Sequence, residues 1–195
     1  MGVNIEMDNA GQMNDDTLYT CYRNGETEAF NQFMIRYGDS LTRYLYRYLN
    51  DWQDAEDLMI EAMARIMAKR PRISEGCFKA YLYKTGRNLA SRFHLNRTRI
   101  SQFSLDEYEE IIGDYYPMET RAVEEERRQI LHRCLDRIDP KMKEALWLVY
   151  YEGMTYAQAG IVMGVNSKKV DHLLDRGKKK MRQELEKEGI TDAYK

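Results

Sequence analysis

Two stretches of the chain set cationic side chains at helical spacing beside groups that can touch a nucleic acid. In the first, Lys84, Arg87, Asn88, Arg92 and Asn96 run beside Phe78, Tyr81 and Tyr83. Cations track phosphates, aromatic faces stack on bases and amides read base edges, so this set could hold single-stranded DNA. A tyrosine stripe at the same spacing equally makes a core. In the second, Lys168, Lys169 and His172 open a periodic segment, and Arg176 and Lys179 follow. That order suits a recognition helix, whose first residues meet base edges while flanking cations hold phosphates. A third set, Glu56, Asp57, Ile60, Glu61 and Arg65, shares one helix face. Glu61 and Arg65 can pair at i, i+4, as on any solvated face, and Ile60 is the member out of keeping with water.

Bond-making chemistry has no comparable foothold. The sequence holds no nucleophile motif, Gly-rich phosphate loop or His/Cys/Asp cluster, so neither an enzyme nor a bound cofactor is expected. Cys21, Cys77 and Cys134 are far apart, and the three histidines have no metal-ligand spacing. The cysteines read as small buried hydrophobes, with no metal site.

These side chains need helices to carry them. With 43% hydrophobic and 32% charged residues the chain can build packed cores, and only 3 prolines and 12 glycines in 195 residues favour an all-α fold. From Thr27 to Leu49 an apolar stripe predicts a helix, kinked or broken near Gly38. Asp54–Arg70 repeats the pattern, with Asp54 as the expected N-cap and Pro71 as the stop; Phe78 opens the next helix. Asp139 and Pro140 start another helix, and Gly153 ends it. Thr155 and Gln158 fit a capping box, Gly164 suits a left-handed corner, Val165 could plug the space between the helices, and Asn166 or Ser167 could cap the last helix. In that helix Val170, Leu173, Leu174 and Met181 are expected inside. So tight a corner favours helix-turn-helix over an ordinary hairpin.

A net charge of −2 hides a strong pattern. From Arg65 to Arg99 ten basic residues face the single acid Glu75, a local charge of about +9. The next stretch, SLDEYEEIIGDYYPMETRAVEEE, is acidic, and Lys168 to Lys187 is basic again. Gly113 and Pro117 make residues 101–122 a linker, with apolar residues enough to dock on a domain or partner, or acids enough to screen the basic flanks. The expected organisation is a flexible N-terminus at 1–17, a helical domain at 18–100, the linker at 101–122, a helix-turn-helix domain at 123–187 and a tail at 188–195. The apolar run ALWLVYY is far short of the roughly 20 residues a bilayer needs, and the acidic N-terminus does not read as a secretory signal. A cytoplasmic protein is expected.

Taken together, the two halves resemble the extracytoplasmic-function (ECF) sigma factors of bacterial RNA polymerase. DAEDLMIEAMARI is similar to that family's core-binding helix, D-A-E-D-L-x-Q-E-x-F, and FKAYLYKTGRNLASRFHLNR to its promoter-melting segment, F-x-x-W-L-x-x-I-A-R-N-x-A-x-D. Leu135–Leu185 resembles its last domain, where Y-x-E-G-x-S-Y-x-E-I-A leads into G-x-S-x-x-T-V-K-x-R-L-x-R-A. The resemblance implies that Asp54, Glu56, Asp57, Ile60, Glu61 and Arg65 meet the clamp helices of the polymerase largest subunit, with the flap as a further polymerase contact. It also implies that Tyr81, Tyr83, Lys84, Arg87, Asn88, Arg92 and Asn96 engage the minus-ten element, and Lys168, Lys169, His172, Arg176 and Lys179 the minus-thirty-five duplex. An anti-sigma factor is a further partner by analogy. Ile60 stands in place of the usual Gln, Tyr81 of Trp and Arg92 of Asp; Leu95 and Asn96 fall where arginines are common. Ala159-Gly160 replaces Ile-Ala, and Asp171 and Asp175 put acids on the recognition helix. The other reading of the helix-turn-helix is a transcriptional regulator without sigma activity, its N-terminal half a ligand or dimerisation module.

Overall fold

The first turn of a helix leaves backbone N–H groups without intrahelical partners, and a short polar side chain just ahead of it can accept from them. Five such caps punctuate the described residues. The computed structural model describes residues 13–100 (side chains to 93), 130–131 and 133–190. It divides into two compact units, Met1–Gly113 and Asp114–Lys195. The linker expected at 101–122 lies outside the described residues. Among those described, no helix is long and apolar enough to cross a membrane.

The first unit holds four helices: α1 (Asp15–Arg23), α2 (Glu28–Leu49), α3 (Trp52–Lys69) and α4 (Phe78–Ile100). Asn14 caps α1, accepting from the Thr17 amide at 2.8 Å, so residues 15–17, expected in a flexible tail, are helical. Asp51 rather than Asp54 caps α3, accepting from the Asp54 amide at 3.0 Å; Asp54 instead places its charge in the first turn, where the helix dipole favours it. Left-handed Asn50 (φ 51°) turns α2 into α3 so sharply that the two must pack antiparallel.

The expected break near Gly38 is absent. α2 runs through unbroken, and Gly38 lies buried against α3, where Met59 Cε stands 3.9 Å from the position a Cβ would take. Phe33, Leu41 and Leu45 of α2, Met63 and Ile66 of α3, and Phe78 and Leu82 of α4 fill the core, with the Phe33 and Phe78 rings stacked at 4.0 Å. α1 is fastened to this core by polar contacts: Asp15 takes an ion pair from Arg36 at 2.5 Å and a hydrogen bond from the Tyr37 hydroxyl, while Tyr19 donates to the Pro71 carbonyl at 2.8 Å. Burial and the adjacent Asp15 carboxylate push the Tyr37 phenol far up, which keeps its proton in place to donate.

In the second unit α5 (Pro140–Leu146) starts on Asp139, whose carboxylate accepts from the Lys141 amide at 3.0 Å. The helix then widens into a π-helical turn at Trp147–Tyr151, closed by the Glu152 amide on the Trp147 carbonyl at 3.0 Å, before Gly153 (φ 66°) ends it. α6 (Tyr156–Met163) opens on the full capping box of Thr155 and Gln158. Gly164 (φ 70°) makes the corner, and Asn166 caps α7 (Ser167–Lys187), accepting from the Lys169 amide at 2.8 Å.

One expectation at this corner is overturned. Val165 is 37% exposed and plugs nothing. The closeness comes from backbone: a Cβ on Gly160 would stand 2.6 Å from the Val165 carbonyl oxygen, so the segment after the corner presses onto α6 where only glycine leaves room. Val162, Val170, Leu173 and Leu174 close the apolar side of the pair.

Candidate nucleic-acid interface

α7 separates its residues cleanly. Val170, Leu173, Leu174, Gly177 and Met181 are buried, while Lys168, Lys169, His172, Asp175, Arg176 and Lys179 are exposed and Asp171 is half-buried. Lys168, Lys169, His172, Arg176 and Lys179 make no ion pair among the described residues. Their charge therefore faces outward uncompensated by contact, as phosphate binding requires. Asp175 is likewise without an ion pair among the described residues, so the acids on this helix do not pair with Arg176 or Lys179. Beside this face Lys178 rides 5.0 Å over the Tyr150 ring, and interaction with that tyrosine raises the lysine's pKa.

The same helix is anchored by a group that sequence reasoning passed over. Glu184 is 1% exposed, and its carboxylate accepts from Lys187 at 2.7 Å, pairs with Lys180 at 3.0 Å and meets Arg137 at 3.5 Å. Hydrogen bonds from Lys187 and Lys180 hold its pKa down to about 2. The signal was present: Glu184 lies three residues after Met181 on the apolar line of α7, with Lys180 and Lys187 within helical reach.

α4 carries the second basic set. Tyr81, Lys84, Asn88 and Arg92 follow at i, i+3, i+7 and i+11, one line along the helix, and Lys84, Asn88 and Arg92 are exposed while Tyr81 is half-buried. Arg87 flanks that line, also half-buried. Asn96 lies in α4 beyond the described side chains. Tyr83 does not join the set. Its ring is 0% exposed, tilted against Tyr44 at 5.1 Å, and its hydroxyl donates to Ser40 Oγ at 2.8 Å. A ring with no free face cannot stack on a base, so Tyr83 is a core residue.

α3 presents the third face. Glu56, Asp57 and Ile60 are exposed, Ile60 by 47%, and Asp54, Glu61 and Arg65 are half-buried. Arg65 binds Glu61 at 2.6 Å, a partly solvated pair that contributes a few tenths of a kcal/mol, about as other helix-surface pairs do. Ile60 thus stands as an apolar knob inside an acidic rim. Trp52, 37% exposed and set against Tyr46 at 5.7 Å, extends the apolar surface at the start of the helix; the sequence reading missed it. Among the described residues no group of His, Cys, Asp and Glu is placed to hold a metal ion.

Comparison with known proteins places two matches on these helices. The sequence model of Sigma-70 region 2 matches residues 33–100, which span most of α2 and all of α3 and α4, and that of Sigma-70, region 4 matches residues 128–181, which span α5, α6 and most of α7. The ECF RNA polymerase sigma factor SigE of Mycolicibacterium smegmatis is 26% identical over 85% of this chain and 65% of its own length. For BldN, an ECF RNA polymerase sigma factor of Streptomyces coelicolor, the figures are 28%, 73% and 54%. The chain thus spans about half to two thirds of the length of these two relatives. In solved structures the fold is similar to that of the sigma factor RpoE of Bartonella quintana, crystallised with the anti-sigma factor NepR: TM-score 0.64, 19% identity, 82% of this chain and 98% of that one. It is also similar to CnrH in complex with the cytosolic domain of CnrY, with TM-score 0.59, 21% identity, 88% of this chain and 97% of that one.

Proposed function

The chain belongs to the sigma-70 family, among its extracytoplasmic-function members, and on that premise we propose that it is an alternative sigma factor directing RNA polymerase to promoters. One observation carries the reading: two sigma-70 matches lie in order on one chain, and each contains a helix with an outward basic face, α4 in the first and α7 in the second.

In this mechanism Asp54, Glu56, Asp57, Ile60, Glu61 and Arg65 dock on the clamp helices of the polymerase largest subunit. The exposed Ile60 supplies apolar contact, and the acids around it supply orientation and encounter rate. Lys168, Lys169, His172, Arg176 and Lys179 hold the minus-thirty-five duplex from its major groove. On α4, Lys84, Arg87 and Arg92 bind the backbone of the minus-ten strand, Asn88 reads a base edge, Asn96 engages the same element, and Tyr81 offers a ring to a flipped base. Unstacking a base costs a few kcal/mol, and stacking it on Tyr81 returns roughly 1–3 kcal/mol, with phosphate contacts making up the rest. The chain performs no bond chemistry; that belongs to the polymerase. An anti-sigma factor is a partner of the same reading, since the structural relative RpoE was crystallised with one.

The test is transcription in vitro with sigma-free bacterial core polymerase on a library of templates whose upstream sequences are randomised. Transcripts that begin at a fixed distance from a shared pair of sequence elements support the reading. Reversing charge at Asp57 and Glu61 (D57K/E61K) is expected to abolish those starts while leaving the helical fold intact by circular dichroism. A chain that binds duplex DNA tightly alone and never yields such starts is a regulator without sigma activity.

A further inference from the structure

On α7 the buried residues Val170, Leu173, Leu174 and Gly177 fix which line of the helix points directly away from its domain. Counting 100° per residue, that outward line runs Lys168, His172, Asp175 and Lys179, with Asp171 on one flank and Arg176 on the other. Asp175 is therefore at the centre of the basic face and exposed, with no ion pair among the described residues to neutralise it. Lys178, off that line, lies over the Tyr150 ring.

A carboxylate at the middle of a DNA-facing surface is repelled by phosphates and by the acceptors that crowd the guanine edge. It is tolerated where it meets a hydrogen-bond donor. The major groove offers two donors on bases, the exocyclic amines of cytosine and adenine. Adenine carries the acceptor N7 beside its amine, which would face the second carboxylate oxygen; the cytosine edge carries its donor without an adjacent acceptor.

Resting on the sigma-factor reading of α7 as the minus-thirty-five helix, we propose that Asp175 is a specificity residue that accepts a hydrogen bond from the N4 amine of one cytosine in that element. Lys168, seven residues earlier on the same line, sits about 10 Å up the helix axis. With base pairs rising about 3.4 Å, the cytosine lies about three base pairs from the base that Lys168 approaches.

Two selections test this with the full chain and its Asp175→Asn and Asp171→Asn variants: transcription by core polymerase from the randomised-template library, and binding of the chain alone to random duplexes. The expected result is a cytosine preferred at one position of the upstream element by roughly 5- to 150-fold, the range for one specific base contact. Asp175→Asn moves that one position towards adenine, whose amine and N7 suit an amide, and leaves the other positions unchanged; Asp171→Asn keeps the cytosine. Specific starts without such a cytosine, or with one that Asp175→Asn does not shift, overturn the proposal and leave the sigma reading intact. A cytosine preference in duplex binding that Asp175→Asn shifts, with no specific starts, sinks the sigma reading and keeps the contact. Absence of both overturns both.

Discussion

Tyr81 and Tyr83 sit two positions apart on α4 and face opposite ways, which makes them a matched test of where DNA contact lies. Tyr81→Ala is expected to lower open-complex formation roughly 5- to 150-fold, the equivalent of about 1–3 kcal/mol of base stacking, with little change in thermal stability. Tyr83→Phe removes the hydroxyl that donates to Ser40 and should cost about 0.5–1.5 kcal/mol of stability in a denaturant titration, with no promoter defect. A promoter defect in Tyr83→Phe at unchanged stability would contradict the assignment. The sequence pointed to the basic line of α4 but placed Tyr83 on it. The clue was Gly86 and Ala90, three and seven residues on, both buried: small residues in line with a large ring mark a packed face. Ile60 was legible as an anomaly on a charged helix face. Trp52 was not, because its exposure depends on how α2 returns past it through Tyr46.

At the scale of elements, the helix-turn-helix depends on a glycine and a buried carboxylate. Gly160→Ala sets a methyl against the Val165 carbonyl and should destabilise the C-terminal unit by about 1–3 kcal/mol, the usual cost of overpacking. Unfolding followed through Trp147 in a Trp52→Phe chain measures it, and an unchanged midpoint would mean the corner yields. For Glu184 the sign follows from its depressed pKa. Its stabilising contribution is complete above about pH 4.5 and is lost as pH falls towards about 2. Glu184→Gln should therefore lower stability at neutral pH and flatten its decline between those values; an unaltered acid profile would contradict the cage of Lys180, Lys187 and Arg137. Three of the helix starts in the described residues were readable because capping is local: Asp139, Thr155 with Gln158, and Asn166 fell where expected, whereas Asp54 yielded to Asp51. The π-helical turn at Trp147 and the unbroken passage of α2 through Gly38 were not readable, since both are settled by what packs against them.

At the scale of the molecule, a net charge of −2 coexists with two outward basic faces on separate units and an acidic, partly apolar face on α3. Composition alone argues against a nucleic-acid binder; distribution along the chain reverses that conclusion, and the basic–acidic–basic order was legible before any fold was known. As a sigma factor, one chain would couple polymerase docking to promoter opening. Permanganate footprinting of unpaired thymines at a start site selected from the template library tests it most directly. Core polymerase with the chain is expected to open the duplex just upstream of the start, while the chain alone, core alone and core with D57K/E61K leave it closed. Opening by the chain without polymerase, or no opening when both are present, would contradict the account.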